Sequence, residues 1–198
     1  MKHITILAVA AAMLLAASCN NQPANESEMN QDFLTLATAR YSVRHFTDTP
    51  VEQEKIDKII MAGRVAPTAV NSQPQMIYVV QSPEVMAKLN VVSPCIYGAP
   101  QCIVACYNDD TVCKRGDDNY GDIDVTIVLT HMMLQATELG VGTCLVGMYD
   151  EAKLRDALAL PANIHPMLLM PFGYAADDAV PSPKHTEYRP EEETVKYL

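Results

Sequence analysis

Three residues near the start of the chain alternate in a way that suits an anion. Arg40, Ser42 and Arg44 lie in the stretch ARYSVRHF, with one residue between each pair. In an extended backbone every second side chain points the same way, so two guanidinium groups and a hydroxyl would share one face. Because arginine binds phosphate oxygens well, the spacing suits a phosphate cradle, although a solvated basic turn explains these residues better when they are taken alone. Lys184 and Arg189 could add positive charge if the fold brings them there.

A second polar segment is surrounded by apolar residues. The stretch VAPTAVNSQPQM, residues 65–76, places Asn71, Ser72 and Gln73 between two prolines. A plain turn explains it, and so does a shelf of backbone and amide groups for a planar ligand.

Several common chemical devices are absent from the sequence. It contains no Gly-x-Gly-x-x-Gly, no Gly-x-x-x-x-Gly-Lys and no Gly-x-Ser-x-Gly motif, which argues against a dinucleotide fingerprint, a P-loop and a hydrolase elbow. The five histidines are scattered and no Cys-x-x-Cys pair occurs, so no metal site is predicted. The net charge of −10 makes nucleic acid an unsuitable partner, since phosphate contacts need clustered basic residues.

Strand and helix patterns alternate along the chain, which predicts one layered α+β or α/β domain. Thr49 is the expected N-cap of a helix that has Pro50 at its first position and ends by Pro67. The segment 123–134 is apolar on most faces, so it is expected to be buried in a core or between subunits. Helices are expected at 33–40, 50–66, 82–90, from 123 to a C-cap at Gly140, and at 150–160. Strands are expected at 76–80, 102–107, 143–146 and 166–172.

The N-terminal segment has the pattern of an export signal. The apolar run 4–17 follows Lys2 and is too short to cross a membrane, which needs about 20 residues. The sequence LAASC resembles a bacterial lipobox, which predicts removal of residues 1–18 and lipidation of Cys19, with ordinary signal cleavage as the alternative. Residues 19–31 are expected to form a flexible tether and 32–198 a single domain. The protein is thus expected to be exported and lipid-anchored in the bacterial cell envelope.

Five further cysteines follow Cys19, which is an odd number, so at least one thiol has no partner within the chain. Cys102 and Cys106 fall on the same face of an expected strand and are interpreted as small buried apolar residues. A disulfide involving Cys95 or Cys113 remains an option in an exported protein.

Taken together, the motifs resemble those of the nitroreductase family of flavin (FMN) oxidoreductases. RYSVRHF is similar to its phosphate-binding opening, and APTAVNSQPQ to the segment beside the flavin ring. YGAP precedes a strand as in the family, and the segment 124–147 resembles its long central helix with the Leu-Gly-x-Gly signature. FGYAADDAVPSPK is similar to its final strand and late basic residue. The resemblance covers about residues 33–190.

The resemblance implies an α+β, nitroreductase-like fold with a central, mainly antiparallel sheet flanked by helices and a site at a homodimer interface. It also implies FMN as the cofactor. Gln73 and Pro74 would serve packing. Cys144 to Gly147 would pass backbone over the reactive side of the flavin ring, with the Val146 amide bonded to flavin N5. The implied cofactor contacts are Arg40, Ser42, Arg44, Lys184 and Arg189 at the phosphate, and Pro67, Thr68, Asn71, Cys144, Val146 and Gly147 at the ring.

Three positions depart from the family pattern. Gln75 stands where an aromatic residue is common, which suggests a more polar pocket, and His131 stands where an asparagine is usual. Cys144 would lie near the flavin face, either as a bystander or as a redox partner.

The activity implied by the resemblance is hydride transfer in two half-reactions through flavin N5. The donor would be NAD(P)H or a donor of the cell envelope, and the acceptor a nitroaromatic, quinone or enone. No side chain is expected to act as acid, base or nucleophile. A flavin-binding lipoprotein without turnover and a degenerate interaction module are the alternatives.

Overall fold

The computed structural model describes residues 32–198. The predicted signal peptide (1–18), the lipidation of Cys19 and the predicted 19–31 tether lie outside the described residues. Within residues 32–198, no helix has both the length and the apolar character needed to cross a membrane.

A four-stranded antiparallel sheet with helices on both sides forms the centre of the described chain, which confirms the α+β expectation. The strands are β1 (Gln75–Val80), β2 (Gln101–Asn108), β5 (Gly142–Thr143) and β6 (Ile164–Gly173), and a separate hairpin consists of β3 (Lys114–Arg115) and β4 (Asp118–Asn119). The sheet order is β1-β2-β6-β5. The helices are α1 (Phe33–Ala39), α2 (Gln53–Arg64), α3 (Pro83–Val92), α4 (Gly121–Glu138), α5 (Glu151–Leu158) and α6 (Glu191–Thr194).

The two faces of β2 belong to two separate cores, because side chains alternate along a strand. Cys102, Val104 and Cys106 pack on the face covered by α3 and α5. Ile103 and Ala105 pack on the face covered by α2 and α4. Burial raises the pKa of each of the two cysteine thiols to about 12, so both stay protonated at neutral pH. They are the inert apolar residues that the sequence predicts.

The disulfide that the sequence left as an option is not formed in the described part of the chain. Cys95, Cys113 and Cys144, like the two strand cysteines, are free thiols.

The start of α2 differs from the prediction. The helix begins at Gln53 with Glu52 as N-cap, so the assignment of Thr49 as the cap is wrong. The reason is that Val51 is drawn into the core, where it is only 3% exposed. Its amide donates to Oε1 of buried Gln101 at 2.8 Å, which keeps the chain extended before the helix.

Replacement of Gln101 by leucine is expected to destabilise the protein without touching the candidate site. The Val51 amide would be left buried without an acceptor, which costs about 1–3 kcal/mol of unfolding free energy. Urea unfolding followed by circular dichroism measures this loss. The control is Gln81→Leu, since Gln81 is exposed and its amide contacts only exposed Gln53. Equal stability of both variants would contradict the role given to the Gln101 bond.

Helix α4 packs its inner side on the sheet and on α2. Buried residues recur along that side at helical spacing, whereas Ile123 on the other side is 55% exposed. The sequence predicted that most faces of this helix are buried. Within one chain, only the inner side of α4 is buried. The inward side chains are Val125, Val128, Leu129, Met132 and Ala136.

Candidate cofactor site

The Arg40–Arg44 segment is held extended by β5. After α1 ends, Arg40 has extended backbone angles (φ −61°, ψ 129°). Ser42 then forms a parallel bridge with Thr143, and the Val43 amide donates to the Thr143 carbonyl at 2.9 Å. Val43 is buried at 2% exposure, so the residues on either side of it face the other way. The backbone therefore has the geometry that the predicted cradle requires.

Neither arginine of the cradle is neutralised by a carboxylate in the described chain. The arginine ion pairs found among residues 32–198 are Arg155–Glu151 and Arg189–Glu193. The Arg44 side chain reaches back to the Ser42 carbonyl, with Nη1 at 3.3 Å from the oxygen. Two cationic groups thus remain available to an anion at this end of the sheet.

Cys144 lies directly beside the cradle. Burial raises the pKa of its thiol, while the Arg44 guanidinium and the Ser42 hydroxyl next to it act in the opposite direction. The bridge between Ser42 and Thr143, the residue before Cys144, brings Cys144 next to the cradle. Because burial prevails, the thiol is neutral near pH 7, which favours a packing role over a nucleophilic one.

The two late basic residues are placed differently. Lys184 lies in a 3-10 turn, Pro183–Thr186, whose His185 has Nε2 at 3.1 Å from the Thr38 carbonyl. The His185 ring also meets the Tyr41 ring edge-on, with 6.4 Å between centroids, so this turn is docked at the start of the cradle. Arg189 instead donates from Nε and Nη2 to Glu193, at 3.1 and 3.0 Å.

The predicted ring-side loop, residues 67–73, is a tightly hydrogen-bonded turn. The Thr68 hydroxyl accepts from the Gln73 amide at 3.0 Å, and Asn71 Oδ1 accepts from Gln73 Nε2 at 3.1 Å. Val70, Asn71 and Gln73 all have positive φ, at 49°, 56° and 48°. This region is unfavourable for residues other than glycine and asparagine, above all for β-branched valine. Exposed Pro67 precedes the turn and buried Pro74 follows it, where Pro74 packs as expected.

A residue that the sequence reasoning missed anchors this loop. Asp124, in the first turn of α4, is 1% exposed, and its Oδ1 accepts a hydrogen bond from the Ala69 amide at 2.8 Å. In the sequence it looks like an ordinary acidic residue near a helix N-terminus. Only its position among apolar neighbours hinted that it points inward.

The segment from Cys144 to Gly147 runs along β6, and it corrects one assignment. The Val146 amide donates to the Leu169 carbonyl at 2.8 Å and the Leu169 amide returns the bond at 2.9 Å, so Val146 cannot serve flavin N5. Backbone groups alternate in direction along an extended chain, so the Leu145 and Gly147 amides face away from β6. Neither amide has an acceptor among residues 32–198.

Amide hydrogen exchange is expected to separate these three positions. The Val146 amide should exchange slowly with or without FMN, because its bond to Leu169 is internal to the protein. Leu145 or Gly147 should become protected only when FMN is added. NMR-detected exchange measures both, and protection of Val146 that depends on FMN would contradict this geometry.

Two of the three departures from the family pattern, Gln75 and His131, have the following surroundings. Gln75 begins β1, is half-buried and opposes Tyr107, and its Oε1 contacts no donor in the described chain. His131 is half-buried on the outer side of α4, with Nδ1 at 2.9 Å from the Ile127 carbonyl.

The predicted site residues fall into two groups at opposite ends of α4. The loop around Asn71 is tied to Asp124 in its first turn, whereas Thr143 and the cradle follow its last turn. A helix rises 1.5 Å per residue, so the 14 residues from 124 to 138 separate the groups by about 20 Å. A compact ligand cannot contact both groups in one chain.

The donor set fits FMN better than a metal or a neutral ligand. It combines two arginines without carboxylate partners, a nearby lysine turn and free backbone amides. Within residues 32–198 no group of three or more side chains could hold a metal ion. A ligand with a phosphate at one end and a polar, planar ring at the other matches these types of donor.

Comparisons with known proteins point to one family. The nitroreductase family model matches residues 37–95 and 93–174. The crystal structure of a nitroreductase family protein from Clostridium difficile 630 is 38% identical, with a TM-score of 0.79, and the match covers 84% of this chain and 98% of that one.

Two further relatives carry information on cofactors in their names. The FMN reductase [NAD(P)H] of Bacillus subtilis is 28% identical over 176 residues, which is 79% of this chain and 70% of that protein. A nitroreductase structure from Desulfovibrio desulfuricans in complex with FMN shares the fold, with 24% identity, a TM-score of 0.71 and coverage of 84% of this chain and 96% of that one.

Proposed function

Since this chain belongs to the nitroreductase family of FMN-dependent oxidoreductases, we propose that it moves hydride in two half-reactions, from a reduced donor to an electron-poor acceptor. When bound, FMN would supply the hydride chemistry. The observation that carries the proposal is the cradle of Arg40, Ser42 and Arg44, fixed by Thr143 and free of carboxylate partners.

The chain's own residues would bind and orient the cofactor. The cradle and Lys184 would hold the phosphate through charge-assisted hydrogen bonds. The Leu145 or Gly147 amide would contact the reactive edge of the ring, and Asn71 its pyrimidine end. No side chain is assigned as acid or base, so the chain's contribution would be to position the ring and the acceptor and to supply the local electrostatic field.

We further propose a homodimer, in which each site takes residues from both copies. Apolar side chains lie exposed on α1, α2 and α4, with Phe33 at 66%, Val65 at 64% and Ile123 at 55%. A second copy packed against this side would bury them, and it could bring one chain's Asn71 loop to its partner's cradle across the roughly 20 Å that separates them in one chain. A groove of about 520 Å³ on this side is lined by Phe33, Leu36, Val65, His131 and Leu134, among others.

The electron donor depends on where the protein works. We propose export and lipid anchoring at Cys19, on the basis of the signal-like N-terminal sequence. Nicotinamide cofactors are scarce outside the cytoplasm, so a membrane quinol or a redox protein would then replace NAD(P)H in the cell. The acceptor is proposed to be a nitroaromatic, quinone or enone.

Steady-state kinetics with the full chain in detergent test the proposal. We expect FMN-dependent reduction of a soluble naphthoquinone or a nitrofuran, with a ubiquinol or menaquinol analogue as donor at least as effective as NADPH. Efficient turnover with NADPH, together with a cytoplasmic location in fractionated cells, would overturn the donor assignment. FMN retention without reoxidation by any acceptor would support a flavin-binding lipoprotein instead.

A further inference from the structure

Asp124 is a buried acidic residue that the proposed reaction does not use. It is 1% exposed and makes one hydrogen bond, from the Ala69 amide to Oδ1 at 2.8 Å. Its other oxygen, Oδ2, is buried and meets no donor among the described residues. Burial of a carboxyl group costs free energy unless hydrogen bonds compensate. The only side-chain hydrogen bond of Asp124 among the described residues is the one to Ala69, so its effect is to be sought in the loop that contains Ala69.

That bond acts on a backbone under strain. Directly after Ala69, Val70 and Asn71 are left-handed, and Gln73 follows with φ 48°. Left-handed residues other than glycine cost free energy and persist only when their surroundings hold them in place. Val70 is 85% exposed, so its own side chain supplies no packing that would fix the turn.

The remaining hydrogen bonds of the loop are internal to it. Asn71 and Ser72 amides bond to the Thr68 and Ala69 carbonyls at 2.9 and 3.0 Å, and Gln73 bonds back to Thr68 and Asn71. These bonds hold the shape of the turn, but they do not fix its position relative to the sheet and helices. Asp124 is fixed at the start of an 18-residue helix and reaches the turn from outside.

We propose that Asp124 is a positioning residue: it fixes the 68–73 loop on the first turn of α4 and so sets where Asn71 meets the flavin. The flavin contact rests on the proposed function, whereas the anchoring of the loop does not. Removal of the Oδ1 acceptor should release the loop while the core beneath α4 stays packed.

The test compares three variants of the full chain. Asp124→Ala removes the acceptor, and Asp124→Asn keeps an oxygen for the Ala69 amide with nearly the same shape. Asp122→Asn is the matched control, because Asp122 lies exposed in the same helical turn. It changes the same kind of group without contact to the loop.

Two readouts separate anchoring from flavin binding. In flavin-free protein, the Ala69 amide should exchange about tenfold faster or more in Asp124→Ala, and at the wild-type rate in the other two variants. In FMN titrations, Asp124→Ala should bind at least about tenfold more weakly, while Asp124→Asn should stay within about threefold. For the acceptor, KM should rise more than kcat falls, because the loop shapes the pocket and does no chemistry.

Each outcome decides the inference. Unchanged Ala69 exchange in Asp124→Ala, or an equal effect of Asp122→Asn, overturns it. Failure of Asp124→Asn to restore both readouts overturns it as well, and this arm remains available if Asp124→Ala does not fold. If the wild-type protein binds no FMN, the proposed function is wrong. The anchoring of the 68–73 loop by Asp124 is then tested by the Ala69 exchange rates alone.

Discussion

The double variant Arg40→Gln/Arg44→Gln should lose FMN while keeping its fold. Each arginine provides charge-assisted hydrogen bonds, and loss of one costs about 1.5–3 kcal/mol, or roughly 10- to 150-fold in affinity. Arg44 is exposed and Arg40 is half-buried, whereas Val43 between them is the residue of this segment that packs in the core. The substitutions therefore remove charge without opening a cavity. Quenching of flavin fluorescence measures the dissociation constant, and far-ultraviolet circular dichroism confirms the fold.

The matched control for this variant is Arg64→Gln/Arg115→Gln. Both residues are exposed, one in α2 and one in β3, so the change in net charge is identical. The control should bind FMN like the wild type, with the same decrease in affinity as salt is raised. Unchanged flavin content in the cradle variant, or equal loss in both, would refute the assignment of the phosphate site.

The Gly142→Ala variant should distort the same cradle by displacing Val43, the buried residue within it. A Cβ at residue 142 would lie 2.7 Å from Cγ2 of Val43 and 3.3 Å from the Gly173 carbonyl oxygen. Val43 must shift, and it lies between Ser42 and Arg44. Overpacking of this kind costs about 1–3 kcal/mol of unfolding free energy, or several degrees of melting temperature. We expect a fall of at least about tenfold in FMN affinity as well, measured by the same titration.

Gly147→Ala distinguishes this effect from a general intolerance of alanine in the segment. Its added Cβ would lie 3.5 Å from Cδ2 of Leu168, which is an ordinary van der Waals contact. Its stability should therefore stay within about 0.5 kcal/mol of the wild type. A Gly142→Ala protein as stable as Gly147→Ala, with wild-type FMN affinity, would show that Val43 does not hold the cradle in place.

The sequence predicted the elements better than their ends. Strong periodicity located β1, β2, α4 and β6, because apolar alternation and helical spacing are local signals. The start of α2 was missed, because Thr49-Pro50 is a good local cap and only the distant Gln101 reveals why Val51 stays extended. A local sequence pattern does not reveal a tertiary contact between residues 50 positions apart.

In the candidate site, too, local patterns were predictable from the sequence and tertiary contacts were not. The alternation of Arg40, Ser42 and Arg44 could be read directly from the sequence, since it needs only an extended backbone. The Val146 amide could not be judged, because its availability depends on the pairing with Leu169. Asp124 was missed for a similar reason: its partner is a backbone amide 55 residues away.

The presence of bound FMN tests the account most directly. The measurement is a visible absorption spectrum of the purified full chain in detergent, with and without added FMN, after gel filtration. We predict flavin bands that elute with the protein at about one FMN per chain and disappear in Arg40→Gln/Arg44→Gln. A colourless wild-type protein that takes up no FMN would contradict the account and leave an interaction module as the better description.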